Sequence, residues 1–138
     1  MPKNTLKKNY QPQEQLTQLA DCGMKKLSPT AIALMADFFK VLSEPSRLQI
    51  ICTLRSGSKN VSQIISDTSL GQANVSKHLK VLTQASIVNR TQQGINVFYQ
   101  ISNPFIFELC ELVCDSISLQ IEQQNENLEH LKNIKSSF

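Results

Sequence analysis

At 138 residues with 41% apolar side chains, the chain is sized for one domain with short extensions, large enough for a core but small for an enzyme with its own substrate domain. Its formal charge of +3 permits a nucleic-acid partner without arguing strongly for one. No run of about 18 apolar residues offers a membrane span. The polar, lysine-bearing start lacks the apolar core of a signal peptide, and Cys22, Cys52, Cys110 and Cys114 contain no CxxC pair. A cytoplasmic chain with reduced thiols, no membrane contact and no bound cofactor is therefore expected.

Residues 1–12, with Lys3, Lys7, Lys8 and two prolines, read as a disordered arm. Leu16, Leu19, Ala20 and Met24 share one side of a helix over 13–27, which Gly23 weakens. Ser28-Pro29 starts the next helix, with Ser as cap and Pro at the first position. Ile32, Met35, Ala36, Phe39 and Leu42 follow at helical spacing, and Ser43-Glu44-Pro45 breaks it. Ser46 to Leu54 is a short helix with Leu48, Ile51, Cys52 and Leu54 apolar, ended by Ser56-Gly57-Ser58. Asn60 caps a helix over Val61 to Ser66 that buries Val61, Ile64 and Ile65. A turn at Thr68 to Gly71 leads into a helix over Gln72 to Ala85, with Val75, Leu79 and Leu82 as its inner stripe.

The period then changes to two. Residues 87–91 and 95–101 read as strands joined by Gln92-Gln93-Gly94. Ser102-Asn103-Pro104 opens a long last helix with Phe107, Cys110, Cys114, Ile117 and Ile121 at three- or four-residue spacing. Its polar stretch from Gln120 to Asn127 is expected to fray before Leu128, Leu131 and Ile134 extend it. The fold class is mainly α with a small two-stranded β-hairpin: a winged helix-turn-helix of four helices, the hairpin and a final helix. It occupies residues 13–122, between the arm and a polar helical tail at 123–138.

A short helix, a tight turn, a second helix and a hairpin suit duplex DNA because a major groove about 12 Å wide admits one helix, whose N-terminal half meets the bases. Gln72 and Asn74 can pair with adenine, Ser76, Lys77 and His78 can reach bases or phosphates, and small Ala73 permits close approach. Lys80 and the wing residues Arg90, Gln92, Gln93 and Asn96 complete the candidate DNA-binding set. A polar helix face is also an ordinary solvated face, and His78, beside Leu79, also reads as a histidine satisfied inside the fold.

Three segments carry a family resemblance. Residues 40–50 (KVLSEPSRLQI), 72–82 (QANVSKHLKVL) and 97–101 (VFYQI) resemble, in order, the LxxPxRLxIL, recognition-helix and wing motifs of the ArsR/SmtB regulators over roughly residues 30–120. The resemblance implies a homodimer joined through its first and last helices, with Phe107, Leu112 and Ile117 as dimer-core candidates. It also implies repression relieved by a small inducer or chemical signal, and two recognition helices reading an inverted-repeat operator in double-stranded DNA.

The family's Cys-x-Cys metal site has no counterpart in Val61-Ser62-Gln63-Ile64, and Ser102-Asn103-Pro104-Phe105 lacks the ligands of its zinc site on the last helix. His130 and Glu129 remain at the far end of that helix without clear partners. Cys52 stands where the family's sulfide- or oxidant-responsive members carry a cysteine, and Cys110 and Cys114 lie one turn apart on the last helix. A switch by thiol oxidation or persulfidation at Cys52 with Cys110 or Cys114 is one reading. The family's second cysteine aligns closer to Ser118. Buried structural cysteines are another reading, and a soft-metal site of Cys110 and Cys114 with Cys22 or Cys52 a third. A winged-helix protein-interaction module is the alternative to DNA binding. An enzyme is not expected, because no nucleophile elbow or Gly-rich phosphate loop is present.

Overall fold

Ser28 and Pro29 start the first helix as their chemistry dictates. Pro29 takes the first position, where its missing N–H costs nothing, and Ser28 Oγ accepts from Ala31 N at 3.2 Å. This helix, α1 (Pro29–Leu42), opens a computed structural model that describes residues 26–137. The expected arm, nearly all of the helix over 13–27, and Cys22 lie outside the described residues. Glu44 caps α2 (Pro45–Thr53), accepting from Arg47 N at 3.2 Å. A 3₁₀ turn over Leu54–Ser56 then runs into Gly57, whose φ of 128° suits glycine alone.

Asn60 and Gln63 form a reciprocal capping box at the start of α3 (Val61–Thr68), each side chain accepting from the other's backbone N–H at 2.9 Å. The helix runs two residues past the expected end at Ser66, and Ser69 closes it in the left-handed conformation. In its last turn Thr68 Oγ1 donates to Ile64 O, and Asp67 is held by Lys59 and Thr53. Helix α4 (Gln72–Gln84) follows from Gly71.

Strands β1 (Val88–Gln93) and β2 (Asn96–Ile101) pair antiparallel from Val88 opposite Ile101 to Gln93 opposite Asn96. The expected three-residue tip is corrected: Gln92 and Gln93 belong to β1, and the loop is Gly94-Ile95. Gly94 has φ 65° and Ile95 has no positive φ, the pattern of a type II′ turn, which matches strand twist. Tyr99 exchanges two backbone hydrogen bonds with Lys59, at 3.0 and 2.8 Å, tying the hairpin to the loop before α3.

Asn103 Oδ1 accepts from Phe105 N at 3.1 Å and starts α5 (Phe105–Ser136), 32 residues without a break. The fraying expected over 120–127 does not occur. Gln and Glu recur there and are good helix formers even in water.

The chain divides into two compact units, one ending at Lys40 and one from Val41 onward. The second holds the core: Ile50, Ile51 and Leu54 of α2 and its following turn, Ile64 of α3, Val75, Leu79 and Leu82 of α4, then Ile87, Val88 and Ile106. Leu48 and Cys52 point out of it. Of α5 only Ile106 is buried, and every described residue from Glu111 on is exposed.

Candidate nucleic-acid interface

The recognition helix sorts its side chains by azimuth. Val75, His78, Leu79 and Leu82 fall at i, i+3, i+4 and i+7 and are all buried. Gln72, Ala73, Asn74, Ser76, Lys77 and Lys80 are all exposed. The opposite face of α4 is therefore polar, has two cations, and has the small side chain of Ala73 near its N-terminus. Arg90 adds a third exposed cation, and among the described residues none of Lys77, Lys80 and Arg90 is held in an ion pair.

His78 is corrected. Its placement among the base-reading residues fails because it is only 6% exposed and faces the core. Arg47 Nε donates to His78 Nδ1 at 3.3 Å, and the Glu44 carboxylate lies 3.5 Å from Nε2. Arg47 Nη1 also donates to Val41 O at 3.0 Å. The spacing that buries Val75, Leu79 and Leu82 already carried the signal, since residue 78 completes that stripe. Its polarity pointed the other way. Glu44 and Arg47 were visible only as motif letters.

The wing residues are all exposed, but the pleat divides them. Arg90 and Gln92 alternate onto one face of β1, whereas Gln93 lies on the other beside its partner Asn96. Gln92 Nε2 donates to Gly94 O at 3.3 Å, so its amide is partly occupied with its own turn. Ile95, 96% exposed, forms the tip.

The cysteines occupy a separate junction between α2 and α5. The Arg55 guanidinium sits over the Phe107 ring, 5.7 Å from its centroid, and pairs with Glu111. There Cys52 is exposed on α2, while α5 presents a half-buried Cys110 and an exposed Cys114. Burial pushes the Cys110 thiol up, and the proximity of Cys52 and then Cys114 pushes it further. An open groove of about 480 Å³ runs beside Cys52, lined by Leu48, Gln49, Thr53, Asp67 and Thr68. Among the described residues no three His, Cys, Asp or Glu side chains converge to hold a metal ion.

The profile of the bacterial regulatory protein, arsR family, matches residues 44–90, from the cap of α2 to the middle of β1. The HTH-type transcriptional regulator Rv0081 of Mycobacterium tuberculosis is 31% identical over 100 residues, 72% of this chain and 88% of that protein. The chain belongs to the ArsR family. It is a winged helix-turn-helix, DNA-binding regulator of transcription. The crystal structure of Rv0081 matches this ArsR-family chain with a TM-score of 0.64 at 29% identity, covering 71% of it and 98% of Rv0081. The transcriptional repressor PagR of Bacillus anthracis is 33% identical over 79 residues, 56% of this chain and 79% of PagR. Reduced HlyU from Vibrio cholerae matches with a TM-score of 0.55 at 28% identity, covering 61% of this chain and 88% of HlyU. HlyU is a transcriptional activator.

Proposed function

We propose that the protein is a homodimeric transcriptional repressor that reads an inverted-repeat operator with α4 and follows the flanking backbone with its wing. The observation that carries this reading is the sorting of α4, with an apolar and histidine stripe inward and Gln72, Asn74, Ser76, Lys77 and Lys80 outward. Gln72 and Asn74 supply base reading. Lys77, Lys80 and Arg90 supply phosphate contacts, with Gln92, Gln93 and Asn96 as secondary wing contacts. A dimer is supported by the apolar side chains left in water on α1 (Ile32, Leu34, Met35, Phe39) and on α5 (Leu112, Val113, Ile117, Ile121). Among the dimer-core candidates, Leu112 and Ile117 are exposed and Phe107 is half-buried under Arg55. No described helix is long and apolar enough to cross a membrane, and action in the cytoplasm, where the operator resides, is part of the same reading.

A second layer of the proposal is the signal. Cys52 and Cys114 both stand near enough to the Cys110 thiol to raise it, which supports a thiol switch among these three cysteines. Two thiols would close to a disulfide, losing two protons and passing two electrons to a peroxide or polysulfide oxidant. With polysulfide, attack by one thiol breaks an S–S bond and takes one sulfane sulfur, and closure by the second thiol gives a trisulfide while another polysulfide sulfur accepts the two electrons and two protons and leaves as hydrogen sulfide. Either bond would constrain α2 against α5 and change the spacing of the two recognition helices.

The test is fluorescence-anisotropy binding to DNA upstream of the gene, with protein reduced, polysulfide-treated and zinc-loaded in parallel. Binding by reduced protein and release by polysulfide supports the thiol-switched repressor, and Cys52→Ser should then bind and ignore polysulfide. Release by zinc alone would return the soft-metal reading. An intact dimer with no preference for any DNA would leave a protein-interaction module.

A further inference from the structure

We infer that Arg47 and Glu44 hold α4 by its one buried polar side chain, His78, and so act as positioning residues that set the rotation of the recognition helix about its axis. This rests on the reading of α4 as the base-reading helix.

The need for such a device follows from the packing. The rest of the inner stripe of α4 is Val75, Leu79 and Leu82, each at most 1% exposed. Apolar contact is non-directional, so it opposes withdrawal of the helix more strongly than a small rotation or slide. Base reading has no such tolerance, because a bidentate amide-to-adenine contact requires both hydrogen bonds at about 2.7–3.2 Å together. Only a directional bond on the inner face can transmit a fixed orientation to the outer one.

His78 supplies that bond. A guanidinium N–H can only donate, so His78 Nδ1 must be bare to accept from Arg47 Nε at 3.3 Å. The proton of the neutral ring then sits on Nε2, toward Glu44 Oε2 at 3.5 Å. Both nitrogens are thus aimed at α2 or its cap, and the plane of the imidazole is fixed by two groups on one neighbouring segment. That segment is itself rigid: Glu44 accepts from Arg47 N, and Arg47 Nη1 is anchored on Val41 O.

The position of the anchor gives it leverage. His78 lies four residues after Asn74, one turn along the same edge of α4. Asn74 is the exposed residue of that edge and His78 the buried one. A rotation that broke the Arg47 bond would therefore swing Asn74 toward or away from the groove floor. Lys77 and Lys80, whose long stems reach phosphate from many angles, would tolerate it. The anchor accordingly acts on sequence discrimination and leaves general affinity for DNA alone.

The experiment uses the full chain and four proteins: wild type, His78→Leu, His78→Asn and Arg47→Met. Leucine fills the site without an acceptor. Asparagine returns a carbonyl oxygen near the place of Nδ1. Methionine keeps the stem of Arg47 without its donors, and gives the same reading if His78→Leu does not fold. Each is titrated with operator and with random DNA of equal length, and the imidazole nitrogen shifts are read by NMR on free protein. Losing a hydrogen bond to a charged group at the anchor should weaken operator binding about tenfold or more, with random DNA and the salt slope unchanged. His78→Asn should recover most of the loss, and wild-type His78 should carry its proton on Nε2. Operator binding by His78→Leu or Arg47→Met equal to wild type, equal losses on both DNAs, no recovery by asparagine, or a proton on Nδ1 would each overturn the inference while leaving the DNA reading intact. Absence of any operator preference in the wild type overturns both.

Discussion

Arg55 lies over the ring of Phe107, its guanidinium carbon 5.7 Å from the centroid, and so joins the turn after α2 to the first turn of α5. The same side chain pairs with Glu111, one turn further on. Both partners of that ion pair are more than half exposed, so its strength is modest and salt-dependent. The Phe107 contact carries more of the attachment. Arg55→Ala is expected to lower stability by about 0.5–1 kcal/mol, the range for an exposed cation–π contact. Urea unfolding of Arg55→Ala and Glu111→Ala side by side checks it. A larger loss in Glu111→Ala would place the attachment in the ion pair instead.

Asn60→Ala removes one half of the capping box, the side-chain acceptor for Gln63 N, and leaves the backbone N–H of residue 60 to donate to Gln63 Oε1. The expected loss is about 1 kcal/mol. Asn60→Ser should retain most of the stability, and the two unfolding midpoints are the measurement. An alanine variant that melts with the wild type would mean that water caps α3 equally well.

On DNA, Asn74→Ala should cost about 1–3 kcal/mol against the operator and nothing against random sequence. Lys80→Ala should weaken both and reduce the slope of log K against log salt by about 0.9, the value for one phosphate contact. Anisotropy titrations at several salt concentrations separate the two. The same pattern from both variants would remove the division of labour on α4.

The cysteines should react in order of thiolate content. Burial and the two neighbouring thiols raise Cys110, which keeps its proton at pH values where an ordinary cysteine already ionises. Raising the pH should therefore accelerate alkylation of Cys110 last among Cys52, Cys110 and Cys114. Peptide mass spectrometry after iodoacetamide pulses across a pH series reads the order. If Cys110 is modified first at neutral pH, burial and the neighbouring thiols do not hold its proton.

Much of this architecture was legible because it is written in local chemistry. Ser28-Pro29 and Asn60 with Gln63 name helix starts wherever they occur, and the change of period after Ala85 announces the hairpin. Boundaries slipped where a contact from elsewhere decided them. The last turn of α3 is supported by Lys59 and Thr53 on Asp67, partners that no window over Val61 to Ser66 contains. Gln92-Gln93-Gly94 resembles a tip by residue type, whereas the positive φ of Gly94 and the pairing of Gln93 with Asn96 place the turn at Gly94-Ile95.

Within the site, the outward face of α4 could be read from the stripe it leaves uncovered. The place of His78 could not be settled by residue type, since imidazole serves equally as a groove contact and as a buried acceptor. Only its partner, Arg47, thirty-one residues earlier, distinguishes the two roles. The nearness of Cys52 to Cys110 depends likewise on how α5 docks, where Arg55 reaches Phe107 and Glu111.

The length of α5 has a thermodynamic consequence. At 1.5 Å per residue its 32 residues extend about 48 Å, yet its own protomer buries only Ile106 and leaves every described residue from Glu111 on exposed. Helical propensity alone holds such a segment only marginally. In a dimer, the free energy that completes the helix would come from a second molecule, so mass action governs its order. The melting temperature of the full chain should then climb with protein concentration, and an operator that gathers two protomers would itself raise the helicity of a dilute sample.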